Sequence, residues 1–116
     1  MKRQRSERGG RRAETLAALW LRLKGWRILA RRVRTPVGEV DLIARRGRIV
    51  AFIEVKARAT DQEAELALDE YRLRRVAAAA GAVAHRYARS GDDLRIDAIY
   101  IVPRRLPRHL TNISLS

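Results

Sequence analysis

The sequence predicts an α/β domain with a mixed central sheet flanked by helices, in the order α-β-β-β-α-β. Three observations predict it. Apolar residues recur at helical spacing near the start of the chain and again after residue 61. Between those stretches lie three strand-length runs bounded by turn residues. A last apolar run from Leu94 is closed by Pro103. Helical and strand periods alternating in this way call for a layered domain with one sheet.

Residues 1–9 are basic and polar and read as a flexible arm. From Gly10 to Lys24, Leu16, Leu19, Trp20 and Leu23 follow the i, i+3, i+4, i+7 rule, so this stripe is expected to face the core, with Gly25 stopping the helix. Trp26 to Arg34 mixes Ile28, Leu29 and Val33 with arginines and ends at Thr35-Pro36, as a strand before a turn does. Glu39–Ala44 and Arg48–Ala57 are the next two strands, joined by a short glycine-containing link. The second has few polar positions before Glu54, as expected of a central strand covered on both faces. Asp61 to Arg89 reads as one long helix with its stripe at Leu66, Leu73, Val76, Ala77, Ala80, Val83, Ala84 and Tyr87, loosened around Gly81. Ser90-Gly91-Asp92-Asp93 is a turn and Leu94–Val102 the last strand. The domain proper is thus residues 10–102, and residues 103–116 form a basic tail without a clear period.

A chain of 116 residues is one domain with room for a core that needs no covalent staple. It has no cysteine, which excludes disulfides and thiolate metal sites and fits a reducing compartment; the expected location is the cytoplasm. No apolar run is long enough to span a membrane, and no membrane partner is expected. Net charge is +13, with Lys2, Lys24 and Lys56 the only lysines among 26 basic residues, so the expected partner is a polyanion. Arginine suits phosphate because its planar fork donates two parallel hydrogen bonds.

The chemistry concentrates in Gly38-Glu39-Val40-Asp41-Leu42-Ile43 and Phe52-Ile53-Glu54-Val55-Lys56. Side chains alternate across a strand, so Glu54 and Lys56 share one face, and Glu39 and Asp41 are expected to share one as well. A hairpin brings the four together. Phosphodiester cleavage by a metal enzyme needs a hard cation held through oxygen, with positions left for water and phosphate. Asp41 and Glu54 supply oxygens, the Val55 carbonyl a third, with Glu14 and Glu39 as further contributors; Lys56 orients water or stabilises phosphate charge. Without cysteine, and with only His85 and His109, the donor set favours Mg2+ or Mn2+ over zinc. Arg45, Arg46, Arg58, Arg72 and Arg75 are the expected nucleic-acid contacts, and cutting two strands symmetrically would favour a homodimer. The structural alternatives are a Glu54–Lys56 surface pair, a first-turn Glu14 set by the helix dipole, and salt-bridging roles for Glu39 and Asp97. The two histidines have no evident role, and the aromatic residues read mostly as core.

These two segments, with Glu14 before them and Arg95-Ile96-Asp97 after, resemble the YraN family of small bacterial proteins over residues 10–102. That family is similar to Holliday-junction resolvases and is grouped with the restriction-endonuclease-like, PD-(D/E)xK nucleases. The resemblance implies a restriction-endonuclease-like fold and a metal-dependent, structure-selective DNA endonuclease, with branched DNA as the substrate. By it, Asp41 and Glu54 match the metal-binding acids, Lys56 the catalytic lysine and Glu14 the glutamate of the first helix. One departure is that Asp69-Glu70-Tyr71 stands where members carry a lysine near the start of the next helix. The alternative is a nucleic-acid-binding protein that keeps the fold and cuts weakly or not at all.

Overall fold

The computed structural model describes residues 2–113, with side chains from Gly10 onward. Its elements are α1 (Lys2–Leu23), β1 (Arg27–Thr35), β2 (Gly38–Arg46), β3 (Ile49–Ala57), α2 (Asp61–Ala67), α3 (Glu70–Tyr87), β4 (Asp93–Ile101) and β5 (Arg108–Leu110). The strands form one sheet in the order β1-β2-β3-β4-β5. β1, β2 and β3 are an antiparallel meander, β4 runs parallel to β3 after the helical crossover, and β5 returns antiparallel to β4. The mixed sheet flanked by helices is the predicted fold. Helix α1 begins at Lys2, eight residues before the expected start; the side chains of the arm expected at 1–9 lie outside those described.

Each face of the sheet has its own core. α1 packs Ala13, Ala17, Ala18 and Leu21 against Leu42, Ala44, Ala51, Ile53, Val55 and Ile99, with Trp26 at the edge. On the other face, Ala79, Ala80 and Val83 of α3 meet Val40, Ile43, Val50 and Phe52. α2 sets Ala64 over Ala98 and Tyr100.

Three expectations change. The stripe chosen for α1 is the wrong one: Leu16, Leu19 and Leu23 are exposed. The alanine face lies on the sheet because small side chains let a helix backbone approach closely, whereas the leucine face would hold it away. The long helix is two helices, since Thr60 caps α2 through the Glu63 N–H and Asp69 caps α3 through the Arg72 N–H. Leu66 and Tyr71, placed beside this break, are exposed instead of buried. Finally, residues 108–110 of the expected tail form β5, and the Ile113 N–H donates to the Ile96 carbonyl at 2.7 Å.

Candidate active site

The β2–β3 ladder runs from Arg46 opposite Ile49 to Leu42 opposite Ile53 and stops there. β2 remains paired with β1 as far as Gly38, and β3 with β4 as far as Ala57. The two central strands therefore part at Asp41 and Glu54. Backbone donors freed by such a divergence need other partners. The Val55 N–H finds one in Asp41, donating to Oδ2 at 2.8 Å. Alternation fails at this point: Val40 belongs to the α3-side core and Leu42 to the α1-side core, although two residues apart on a regular strand they would share a face.

The opening is a cleft of about 360 Å³ lined by Gly10, Ala13, Glu14, Asp41, Glu54, Val55, Lys56, Ala57 and Arg58. Inside it Lys56 Nζ stands 2.6 Å from Glu54 Oε1, both side chains largely buried. Glu14, on the α1 face that meets the sheet, is buried and accepts from Arg32 Nε at 2.8 Å. Burial, reinforced by the charges of Glu54 and Glu14, pushes the Asp41 carboxyl up to about 7, against the opposing pull of the Val55 N–H and Lys56. Three acids are thus gathered around one lysine, with Arg32 behind them.

Arg32, which binds Glu14 at the cleft, is a residue the sequence did not single out. It takes a left-handed φ of 53° within β1, a conformation that side-chain-bearing residues seldom hold without compensation. Its guanidinium reaches Glu14 from this position. Nothing in an arginine-rich strand marks one arginine for such a turn.

Other expected residues are placed elsewhere. Glu39 is half exposed beside Arg34 at 3.5 Å. It lines a smaller groove with Glu54, Arg72, Arg75 and Val76, on the far side of Glu54 from the main cleft. Glu39 and Asp41 thus line different openings, although the charges of both act on Arg32. Arg58 does line the cleft. Arg45 and Arg46 do not: Arg45 is bound to Asp92 at 2.6 Å and to the Tyr87 carbonyl at 3.2 Å, and Arg46 lies over the Trp26 ring at 4.7 Å. Both sit at the paired end of the hairpin, where they anchor structure. Asp97 is structural too, as expected for a salt-bridging acid. It is fully buried and accepts from Arg95, His109 and the Asn112 N–H, which gives His109 a partner the sequence did not suggest. Gly38 explains the head of its motif: a Cβ there would meet the Arg75 carbonyl oxygen at 2.9 Å, so only glycine lets α3 lie so close to β2.

The donor chemistry suits a hard divalent cation, since carboxylates and a backbone carbonyl line the cleft and no sulfur is present. Burial raises Asp41 first and repulsion from Glu54 and Glu14 second, and a cation would relieve the repulsion. As they stand, the acids are engaged with Lys56, Arg32 and the Val55 N–H, and among the described residues no three carboxylate or imidazole groups converge as a ready ligand set.

A family model described as the uncharacterised protein family UPF0102 matches residues 13–101. The chain belongs to UPF0102. This is the YraN family that its motifs resemble. UPF0102 proteins of Erythrobacter litoralis and Sphingopyxis alaskensis are each 62% identical to it, over 112 and 113 residues, covering 97% of this chain and 97% of each relative. The UPF0102 protein of Rhizorhabdus wittichii is 55% identical over 112 residues, covering 97% of this chain and 95% of its own. The span matched to UPF0102 contains Glu14, Arg32, Asp41, Glu54, Val55 and Lys56. Among the described residues no helix is long and apolar enough to cross a membrane.

Proposed function

We propose that this UPF0102 protein is a metal-dependent nuclease that hydrolyses phosphodiesters in DNA. The observation that carries the reading is the gathering of Glu14, Asp41, Glu54 and Lys56 in one cleft where β2 and β3 part, with Asp41 driven toward neutrality by burial and by the charges of Glu54 and Glu14. A carboxylate so perturbed, in a concave site, is a mark of function more often than of packing. Asp41, Glu54 and the Val55 carbonyl would hold Mg2+ or Mn2+. Bound there, the ion lowers the pKa of a coordinated water and stabilises charge on the phosphate. Lys56, released from Glu54, donates to the phosphate or to the attacking water, and Arg58 at the rim binds a neighbouring phosphate. Glu14 stays oriented by Arg32, and the net charge of +13 draws the polyanion to an otherwise acidic cleft.

The test is a titration of Mg2+ and Mn2+ against linear, single-stranded, flapped and four-way DNAs, with Lys56→Met beside the wild type. Lys56→Met keeps the apolar stem and removes the ammonium, so it should fold and still take up metal. Its single-turnover cleavage rate should fall by about a hundredfold or more, the scale of one electrostatic contact to developing charge. Substrate affinity should change little. Equal rates would remove Lys56 from the chemistry.

One observation favours a second reading. Glu54 is paired with Lys56 and Glu14 with Arg32, so the cluster is close to self-satisfied as it stands. A protein that binds nucleic acid without cutting would keep such pairs closed. No cleavage of any DNA form with either metal would select that reading.

A further inference from the structure

Beside the acid cleft lies a second groove, of about 520 Å³, whose chemistry differs from it. Its floor is Leu16, Ala57, Ile101, Val102 and Pro103, and its rim carries Arg58, Arg104 and Arg105. The two openings are neighbours, with Ala57 and Arg58 lining both. Leu16 belongs to the exposed leucine face of α1 and is 44% exposed, which in so charged a chain calls for a reason. Arg104 holds a left-handed φ of 66° in the turn after Pro103. The acids nearest the rim are already occupied: Asp61 by Arg105 at 2.9 Å and Glu63 by the Ala59 N–H at 3.2 Å. The Arg105–Asp61 pair is largely exposed and so costs little to exchange for a phosphate.

An apolar floor bordered by arginines suits a chain that has anions on one side and flat apolar groups on the other. Nucleic acid with unpaired bases is such a chain. In a duplex the bases are stacked and paired, and only phosphates and groove edges would meet this surface. We propose that the groove seats an unpaired DNA strand next to the scissile phosphate, with phosphates on Arg58, Arg104 and Arg105 and at least one base against Leu16 and Pro103. This rests on the nuclease reading for the position of the cut, and not for the binding itself. A second protein copy is the less fitting occupant, because two like-charged arginine rims would face one another.

The experiment is equilibrium binding of a labelled single-stranded DNA to the full chain in EDTA, compared with a duplex of equal length and with an abasic strand that keeps the phosphates and lacks the bases. The wild type should prefer the single strand to the abasic strand by about threefold or more, the scale expected when roughly 30 Å² of a base face is taken from water. Leu16→Gln, at an exposed position and neutral, should lose that preference and bind both strands alike. Arg104→Ala with Arg105→Ala should weaken both strands equally and reduce the steepness of the salt dependence by about two phosphates. Equal binding of single and abasic strands by the wild type, or an unchanged preference in Leu16→Gln, would overturn the proposal. Cleavage assays on the same DNAs in Mn2+ separate the two readings. Base-dependent binding without cleavage by the wild type supports the groove and removes the nuclease, whereas cleavage of single strand and duplex at equal rates with no base dependence does the reverse.

Discussion

The two ends of the β2–β3 hairpin hold carboxylates in opposite electrostatic states. At the paired end, Asp92 is gripped by Arg45 and the Arg89 N–H and is held down at about 2. Asp97, on β4 opposite Ile53, is fully buried; burial opposes its charge, but His109, Arg95 and the Asn112 N–H outweigh it and keep the carboxyl below its usual range. At the parted end, Asp41 has one N–H donor and two acidic neighbours, and burial drives it upward. The lesson is that burial alone does not decide the fate of an acid. The ratio of donors to competing charges does, and the parted end is left with the deficit.

The largest effect should come from removing a satisfied acid. Asp97→Ala leaves Arg95 facing a buried gap and removes four hydrogen bonds, two of them from Arg95, so it should cost about 3–5 kcal/mol in a denaturant titration, the scale for breaking a buried pair. A loss below about 1 kcal/mol would mean that the C-terminal strand is not anchored through this acid.

The parted end should respond in the opposite sense. A carboxyl whose folded pKa is raised above its unfolded value contributes stability that is complete below pH 4 and is lost as pH rises through about 7. Metal-free protein should therefore lose stability between pH 4 and 8. Asp41→Asn, which keeps an acceptor for the Val55 N–H, should flatten that profile and be the more stable of the two at pH 8, by on the order of 1–3 kcal/mol. It should also lose Mn2+ binding measured by calorimetry. A wild-type profile already flat over this range would show that Asp41 carries no such deficit.

The smallest effect should come from Glu39, which sharpens the boundary of the site. Its exposed pair with Arg34 predicts that Glu39→Gln changes stability by less than about 0.5 kcal/mol. Mn2+ affinity should stay within experimental error. A tenfold weaker ion would move Glu39 into the ligand set.

Much of this was legible in the chain. Strand positions followed from alternation, and Glu54 beside Lys56 followed from their two-residue spacing. What failed did so for identifiable reasons. Glu39, expected beside Asp41, lines a different groove, and no composition signal announces the point at which β2 leaves β3. α1 offers a leucine face and an alanine face, and hydrophobicity selects the former while close packing selects the latter. The His109–Asp97 contact joins residues from β5 and β4, a pairing that local spacing cannot reveal. Arg32 was hidden among arginines because its distinction is a backbone angle.

Gly38 sets a mechanical clearance. With no Cβ, it rests against the backbone of α3 at Arg75, so no compressible side chain lies between the strand that carries Asp41 and the helix that carries Arg72 and Arg75. Side-chain cushions absorb small displacements by changing rotamer; a backbone-to-backbone seat cannot. The separation between the two backbones is therefore set by direct contact, like the gap between the jaws of a gauge, and even one added methyl at Gly38 would reset it.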